Sequence, residues 1–483
     1  MNPAIALSIF PAIVAICSLL IRDLRRLRVI GAAGGLGQIV ATIWVASSVL
    51  AGAESPTFLT WFQIDGIAAW MISVNSLVYG AAMMNAAFLL DRPEDLHLSV
   101  KSSRALFGLS AMFLVAANAV VCAADLGAMW VAMEATTLAT APLILLQGTR
   151  KSIEAAWKYL ILCGVGIAFA LLGTMFFLAA ASGPEGAGAS LGIPWLMAHV
   201  SELKRPLLDA GFVFFLLGYG TKAGLFPVHN WLPDAHSEAP APASALLSGA
   251  LLNCAMVALW RIGGIVELSA SKGLLTGLLA PMGAVSVLAA AIMLIRQRDL
   301  KRMWAYSSIE NMGLLAVAVG FRAAPILALH SLAHSLAKSS AFLLSGNVVR
   351  SYGTVSLGKL SGVMRRSPGL GFALIAAGAA VMGAPPFASF VSEWLLLAKA
   401  ADSRQWGILA ALVIGLSVSF VAVLIHLGRV VFGEKQGGTA EQKSPGSIVV
   451  PVLLLGASTA AFLAVSPAVL AFLERALQSG GRP

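Results

Sequence analysis

Charge is scarce in this chain. Of 483 residues, 32 are Lys or Arg and 22 are Asp or Glu, 11% in all, against about 25% in an ordinary soluble domain. A water-facing surface of this size needs more, so a soluble enzyme is excluded. Hydrophobic residues make up 59% instead, with a mean hydropathy of +0.87, and there is no long polar tract of the kind that stays disordered. Only four cysteines occur, Cys17, Cys122, Cys163 and Cys254, each alone in an apolar stretch. They show no CxxC or other metal spacing and are best taken as small apolar fillers. A Gly-rich phosphate loop, a heme-type CxxCH and zinc-like spacing are missing as well, so neither a metal nor a cofactor is expected on this chain. These absences leave an all-α polytopic membrane protein.

A membrane-crossing helix needs about 20 mostly apolar residues. Such windows fall at 3–21, 29–51, 65–90, 104–123, 127–148, 156–181, 207–226, 241–267, 274–295, 303–320, 325–349, 370–399, 406–428 and 447–473, which predicts about fourteen transmembrane helices. The first is apolar with no basic segment before it, so it is expected to be a span, not a cleaved signal. Windows 207–226 and 370–399 contain internal breakers and are predicted to be discontinuous. The longest polar connections, 182–206 and 432–446, are too short for a soluble domain.

The net charge of +10 is explained by position. Loops on one side of the windows carry 21 of the 32 Lys and Arg, among them Arg22–Arg28, and the opposite side carries 9. Basic loops face the cytoplasm, which puts both termini on the outer side. Nucleic acid therefore drops out as a partner, and the lipid bilayer takes its place. Lys222 and Lys338 belong to neither side.

An ionisable side chain at mid-membrane costs several kcal/mol and marks function by default. Five stand out: Glu134, Lys222, Glu310, Lys338 and Glu393. Glu310 lies nine residues after Lys301, about 14 Å deep at ~1.5 Å per residue. His330, His334 and Lys338, in HSLAHSLAKSSAFLL, recur every four residues and so share one helical face. Neutral imidazole both donates and accepts a proton, which suits this ladder to relaying protons. Lys222 precedes a break at Pro227, where the ring has no N–H to give and would clash with the Ala223 carbonyl. Glu393 follows a break at Pro385 and Pro386. The two ionisable residues lie 171 positions apart, as two five-helix repeats would place them, and inverted repeats with broken helices are a transporter signature. The run His229, Asp234, His236, Glu238 is metal-like in composition. Its place at the cytoplasmic end of a broken helix points instead to an interfacial hydrogen-bonded turn.

Three segments, TKAGLFPVHNWLPDAHSEAPAPASALLSG, RDLKRMWAYSSIENMG and HSLAHSLAKSSAFLLSGNV, resemble the antiporter-like subunits of respiratory complex I, membrane-bound hydrogenases and multi-subunit sodium/proton antiporters. The resemblance spans roughly residues 60 to 430, and the SEAPAPASALLSGALLN and IENMG wording is most similar to component F of hydrogenase-4-type complexes. It implies two inverted five-helix repeats with discontinuous helices 7 and 12. Residues 1–100 would form three N-terminal helices, 101–268 and 269–432 the two repeats, and 433–483 a C-terminal helix. Glu134 matches the fifth-helix glutamate and Lys222 the seventh-helix lysine that pairs with it. Lys338, with His334 above it, matches the basic position of the eleventh helix, and Glu393 the ionisable position of the twelfth. The eighth-helix position that often bears Lys or His is Asn253 here, and Glu310 is an added acid.

The function this implies is a non-redox, proton-translocating subunit of a complex I-like or hydrogenase-4-type oxidoreductase complex. Protons would pass along Glu134, Lys222, Glu310, His330, His334, Lys338 and Glu393, with His229 and Asn253 as secondary candidates. Lys222 would hold its proton while Glu134 is near and release it when that influence is withdrawn. Iron–sulfur clusters, a NiFe centre or a flavin would sit only in partner subunits, in a bacterial inner membrane. The alternatives are a subunit of a multi-subunit Na+/H+ antiporter and the membrane partner of an inorganic-carbon uptake complex.

Overall fold

The computed structural model describes residues 3–52, 56–91, 93, 98–182, 190–269, 273–434 and 447–478. Parts of both long polar connections, 183–189 and 435–446, lie outside the described residues.

The apolar windows coil into helices whose starts are set by polar residues. The chain opens with α1 (Pro3–Leu20) and α2 (Leu24–Leu50). A small hairpin, β1 (Thr57–Phe58) and β2 (Phe62–Gln63), leads to α3 (Gly66–Leu89), α4 (Val100–Cys122), α5 (Leu126–Leu145) and α6 (Arg150–Ala181). Asp23, Asp65, Ser99, Asp125 and Thr149 precede α2 to α6 in extended backbone, and each side chain accepts a first-turn N–H. Such caps satisfy donors that have no partner within the helix.

Next come α7 (Ile193–Ala198), α8 (Arg205–Ala223), α9 (Trp231–Glu238), α10 (Ala241–Leu246) and α11 (Leu252–Leu268). A π-helical turn, Leu247–Leu251, joins α10 to α11, so Ala241–Leu268 is one rod. A second π turn, Leu275–Leu279, opens α12 (Ala280–Ile295). Then follow α13 (Leu300–Gly320), α14 (Ala324–Tyr352) and α15 (Val363–Arg366). The chain continues with α16 (Pro368–Val381), α17 (Ala388–Asp402), α18 (Trp406–Phe432), α19 (Val449–Ala464) and α20 (Pro467–Gln478).

Among the described residues, 8 helices are long and apolar enough to cross a membrane. Their burial sorts them into layers. The Ala241–Leu268 rod is entirely buried inside the protein, whereas most of α6 and α18 faces outward, presenting Ile161, Val165, Ile414 and Leu424. A continuous apolar exterior of that kind is a liability in water and the expected surface in lipid. α8, α13 and α14 are as long, yet they carry Lys222, Glu310 and the His330–His334–Lys338 ladder and do not meet the apolar criterion. They can hold those residues because they stand inside the bundle. The core closes tightly in places: a Cβ on Gly283 of α12 would lie 2.5 Å from the Gly313 carbonyl oxygen of α13, and the reverse distance is 2.6 Å. Small residues that let backbones touch replace the hydrophobic effect as the packing device in lipid.

Two windows are interrupted as expected. α8 ends at Ala223, and Gly224 turns the chain with φ 73°; α16 ends at Val381, and Gly383 turns it with φ 62°. The last window differs from the single span predicted for 447–473. It divides into α19 and α20, bent by 102° at Pro467, because proline has no N–H to continue the ladder and restricts the residue before it. α20 lays Leu473 and Leu477 inward, and its Ala476 carbonyl lies against Gly66, where a Cβ would not fit.

Candidate functional site

The first cluster gathers on α5, α6 and α8. Lys222, one residue before the end of α8, is completely buried. Its Nζ donates to Thr137 Oγ1 at 2.7 Å and to the Tyr159 hydroxyl oxygen at 3.2 Å. Thr137, one turn after Glu134 on α5, donates in turn to Glu134 Oε2 at 3.1 Å. Tyr159 and Thr140 Oγ1 are 2.7 Å apart. Thr140 uses its proton on the Thr136 carbonyl, 2.7 Å away, so Tyr159 donates to Thr140 and leaves its own oxygen for Lys222. Trp231 of α9 closes the cluster: its ring centroid lies 4.9 Å from Tyr159, and its Nε1 donates to the Thr221 carbonyl at 2.7 Å. Glu134 and Lys222 do not form a direct ion pair, as the resemblance had implied; Thr137 stands between them. A threonine carries both an acceptor and a donor on one oxygen, so the link remains a continuous line of hydrogen bonds.

The second cluster surrounds α14. His330, His334 and Lys338 share a face, yet each bonds to a different neighbour. His330 Nδ1 meets Ser392 Oγ of α17 at 2.9 Å, and His334 Nε2 meets the Ser248 carbonyl at 3.2 Å. Lys338 Nζ donates to Ser307 Oγ and, at 3.2 Å, to the Trp304 carbonyl, both on α13. Ser248 Oγ is 2.8 Å from Ser308 Oγ, which ties this neighbourhood to the rod. Asn253 donates to Ser335 Oγ at 2.8 Å and to the Gly249 carbonyl at 3.1 Å. The π turn Leu247–Leu251 thus supplies backbone oxygens to three side chains, His334, Asn253 and Ser335. A widened turn frees carbonyls that an α-helix would use internally.

Two further acids, Glu310 and Glu393, lie near the second cluster. Both carboxylate oxygens of Glu310 are buried without a hydrogen-bond partner among the described residues, with Lys338 and the Ser419 hydroxyl nearby. Glu393 is 8% exposed, and its carboxylate lies over Gly383, filling the space a Cβ would take. Glu393 and its helix break therefore form one unit.

The metal-like run diverges. His229 packs its ring on Phe226, with centroids 5.4 Å apart. Asp234 turns outward to Arg302 at 2.7 Å and Lys158 at 3.0 Å. Burial pushes the Glu238 carboxyl above its ordinary value, opposed by the Lys301 ammonium, and His236 points inward. No three His, Cys, Asp or Glu converge as metal ligands among the described residues.

Sequence reasoning missed Thr137, Tyr159, Ser307, Ser308, Ser335 and the π turn. A signal existed for two of them: Thr137 follows Glu134 by one turn, and Ser335 adjoins His334.

A family model for the transmembrane region of NADH:quinone oxidoreductases and Mrp antiporters matches residues 123–419, which contain both clusters. A hydrogenase-4 component F homolog from Methylacidiphilum infernorum (isolate V4) is 39% identical over 394 residues, covering 80% of this chain and 82% of the relative. Among solved structures, a chain of the archaeal membrane-bound sulfane sulfur reductase superposes with a TM-score of 0.86 at 23% identity, over 100% of this chain and 97% of that one. A chain of the Mrp complex from Dietzia sp. DQ12-45-1b gives 0.84 at 17% identity, over 99% and 97%. At those identities the two likenesses speak to fold alone, that of an integral multi-pass membrane protein. The chain belongs to the antiporter-like membrane subunit family shared by complex I, membrane-bound hydrogenases and Mrp antiporters.

Proposed function

We propose that this chain is a proton-translocating subunit of a complex I-like or hydrogenase-4-type oxidoreductase complex. One observation carries the reading. Lys222 and Lys338 are both wholly buried, and each ammonium is held by hydroxyls or a carbonyl, with no carboxylate within ion-pair distance among the described residues. A buried charge without a counter-ion is costly, so two of them are retained for something other than stability. An ammonium solvated by neutral dipoles can also lose its proton without breaking an ion pair.

In this reading fourteen crossings form three N-terminal helices, two inverted five-helix repeats over 101–268 and 269–432, and a C-terminal segment. Each repeat contains one of the two helix breaks. A proton held on Lys222 exchanges with Glu134 through Thr137. Passage toward the second repeat then uses His334, Lys338 and His330, with Glu310 beside them, and ends at Glu393 and the Pro385–Pro386 break. The driving redox chemistry, with its iron–sulfur, NiFe or flavin centres, belongs to partner subunits. The complex would sit in a bacterial inner membrane with both termini of this chain outside.

The matching family model takes in Mrp antiporters as well, which supports a second reading, a subunit of a cation/proton antiporter with no redox partner. Native purification separates the two: redox subunits that copurify support the first, and sodium-dependent proton movement without them supports the second. The proton path itself is tested by Lys222→Ala in the reconstituted complex. Translocation should collapse, and a variant pumping at the wild-type rate overturns the assignment.

A further inference from the structure

The two lysine clusters need a connection, and the rod between them offers no titratable group at its polar position. α11 packs against α8 on one side and α13 on the other, but its buried polar residue is Asn253, whose carboxamide does not take up a proton. His236 of α9, in contrast, is completely buried and lies between the clusters. Its ring centroid is 5.9 Å from Trp231, which packs on Tyr159 of the first cluster. On its other side it is 5.7 Å from Phe342 of α14, one turn beyond Lys338.

The ring is held in one tautomer. Nδ1 lies 2.9 Å from the Leu232 carbonyl, which can only accept, so Nδ1 carries a proton. The neutral ring then presents a lone pair at Nε2, and this buried atom has no hydrogen-bond partner among the described residues. The backbone beneath is fixed too, since Ser244 Oγ donates to the His236 carbonyl at 2.8 Å. The lysines acting on the ring are Lys301 of α13 and Lys338 of α14. Of the two, only the Lys338 amine belongs to the second cluster, and it can take a proton from the ring when it is neutral.

We infer that His236 is the proton relay joining the Lys222 cluster to the Lys338 cluster. The inference rests on the proton-translocating reading above. Nε2 takes one proton released from the Lys222 side through water, forming imidazolium. It then returns one proton from the same nitrogen, through water, to the neutral Lys338 amine, which becomes the ammonium, while Nδ1–H stays on Leu232. The neutral ring is restored, and no net charge remains on it.

The test uses the intact complex in proteoliposomes, with subunit content checked by copurification. His236→Gln keeps polarity and His236→Phe keeps the ring contacts to Trp231 and Phe342; neither offers a base. Both should lose translocation at least tenfold while redox turnover or cation exchange sites remain assembled. Adding Asn253→His to either variant restores a titratable group between the clusters and should recover a substantial part of the rate. Wild-type translocation in either single variant overturns the inference, as does a loss that Asn253→His does not recover. Lys222→Ala run in parallel separates the two levels. If it pumps normally, the proton-path reading fails; if it stops while His236→Phe continues, only the relay fails.

Discussion

Thr137 is the sharpest point at which to test the path, because its hydroxyl is the sole hydrogen-bonded link between Glu134 and Lys222 among the described residues. Thr137→Val preserves the branched shape and the fit within α5 but removes the bond to Lys222 at 2.7 Å and that to Glu134 at 3.1 Å. Lys222 is then left with Tyr159. A hydrogen bond to a charged group is worth about 1.5–3 kcal/mol, and a barrier higher by that amount slows a step by roughly 10- to 150-fold. Proton uptake by proteoliposomes containing the whole complex is the assay, normalised to the amount of assembled subunit. Thr137→Ser returns the oxygen without the methyl group and should regain most of the rate. An assembled Thr137→Val complex that translocates like the wild type refutes transfer through this hydroxyl.

Other expectations concern stability as much as transport. Lys338→Met should abolish translocation without lowering the thermal stability of the complex, since an apolar side chain avoids the desolvation cost of a buried ammonium; marked destabilisation would make Lys338 a structural residue instead. Arg261 forks onto Asp65 at 2.7 and 3.0 Å with both side chains nearly buried, so Arg261→Met should cost about 3–5 kcal/mol, seen as loss of assembled subunit. Asp234→Asn breaks contacts to the more exposed Arg302 and Lys158 and should cost under about 1 kcal/mol per pair, with a penalty that shrinks as salt rises. Gly383→Ala meets both a left-handed backbone and the Glu393 carboxylate, whereas Gly353→Ala has the same backbone sign and open space around it. The second should show only the strain of about 1–2 kcal/mol in thermal melting; the first should melt lower still and translocate poorly.

What could be read from the chain and what could not divide along a physical line. Apolar runs, the two proline breaks, and Lys222, Lys338, Glu310 and Glu393 were legible, because lipid tolerates few ionisable residues and each exception announces itself. The bend between α19 and α20 was less so: the Ser466–Pro467 step marks the break, but the direction in which the last helix turns goes with the burial of Leu473 and Leu477, which the local sequence does not give. For the run at 229–238, residue types suggested convergence that helix geometry forbids. Asp234 and His236 are two positions apart on α9, which puts them on opposing faces, one toward Arg302 and one toward Phe342.

The hydroxyls were illegible for a deeper reason. Thr221 and Ser345 return their protons to carbonyls of their own helices, at Leu217 and Ala341, the ordinary use of such residues in lipid. Thr137 and Ser307 have the same chemistry and flanks just as apolar, yet they meet ammonium groups from other helices. Thr137 has one local signal, the carboxylate a turn before it; Ser307, which also donates to the Trp304 carbonyl of its own helix, has none, because the choice depends on which helix is brought alongside. The buried lysine must therefore be located first and its solvation shell traced outward from it. Traced that way, the shell of Lys222 runs through Thr137 to Glu134 on one side and through Tyr159 to Trp231 and His236 on the other. A residue such as His236, one letter in a polar turn, becomes a candidate for the path only when its ring is found between Trp231 and Phe342 with a buried nitrogen that has no hydrogen-bond partner among the described residues.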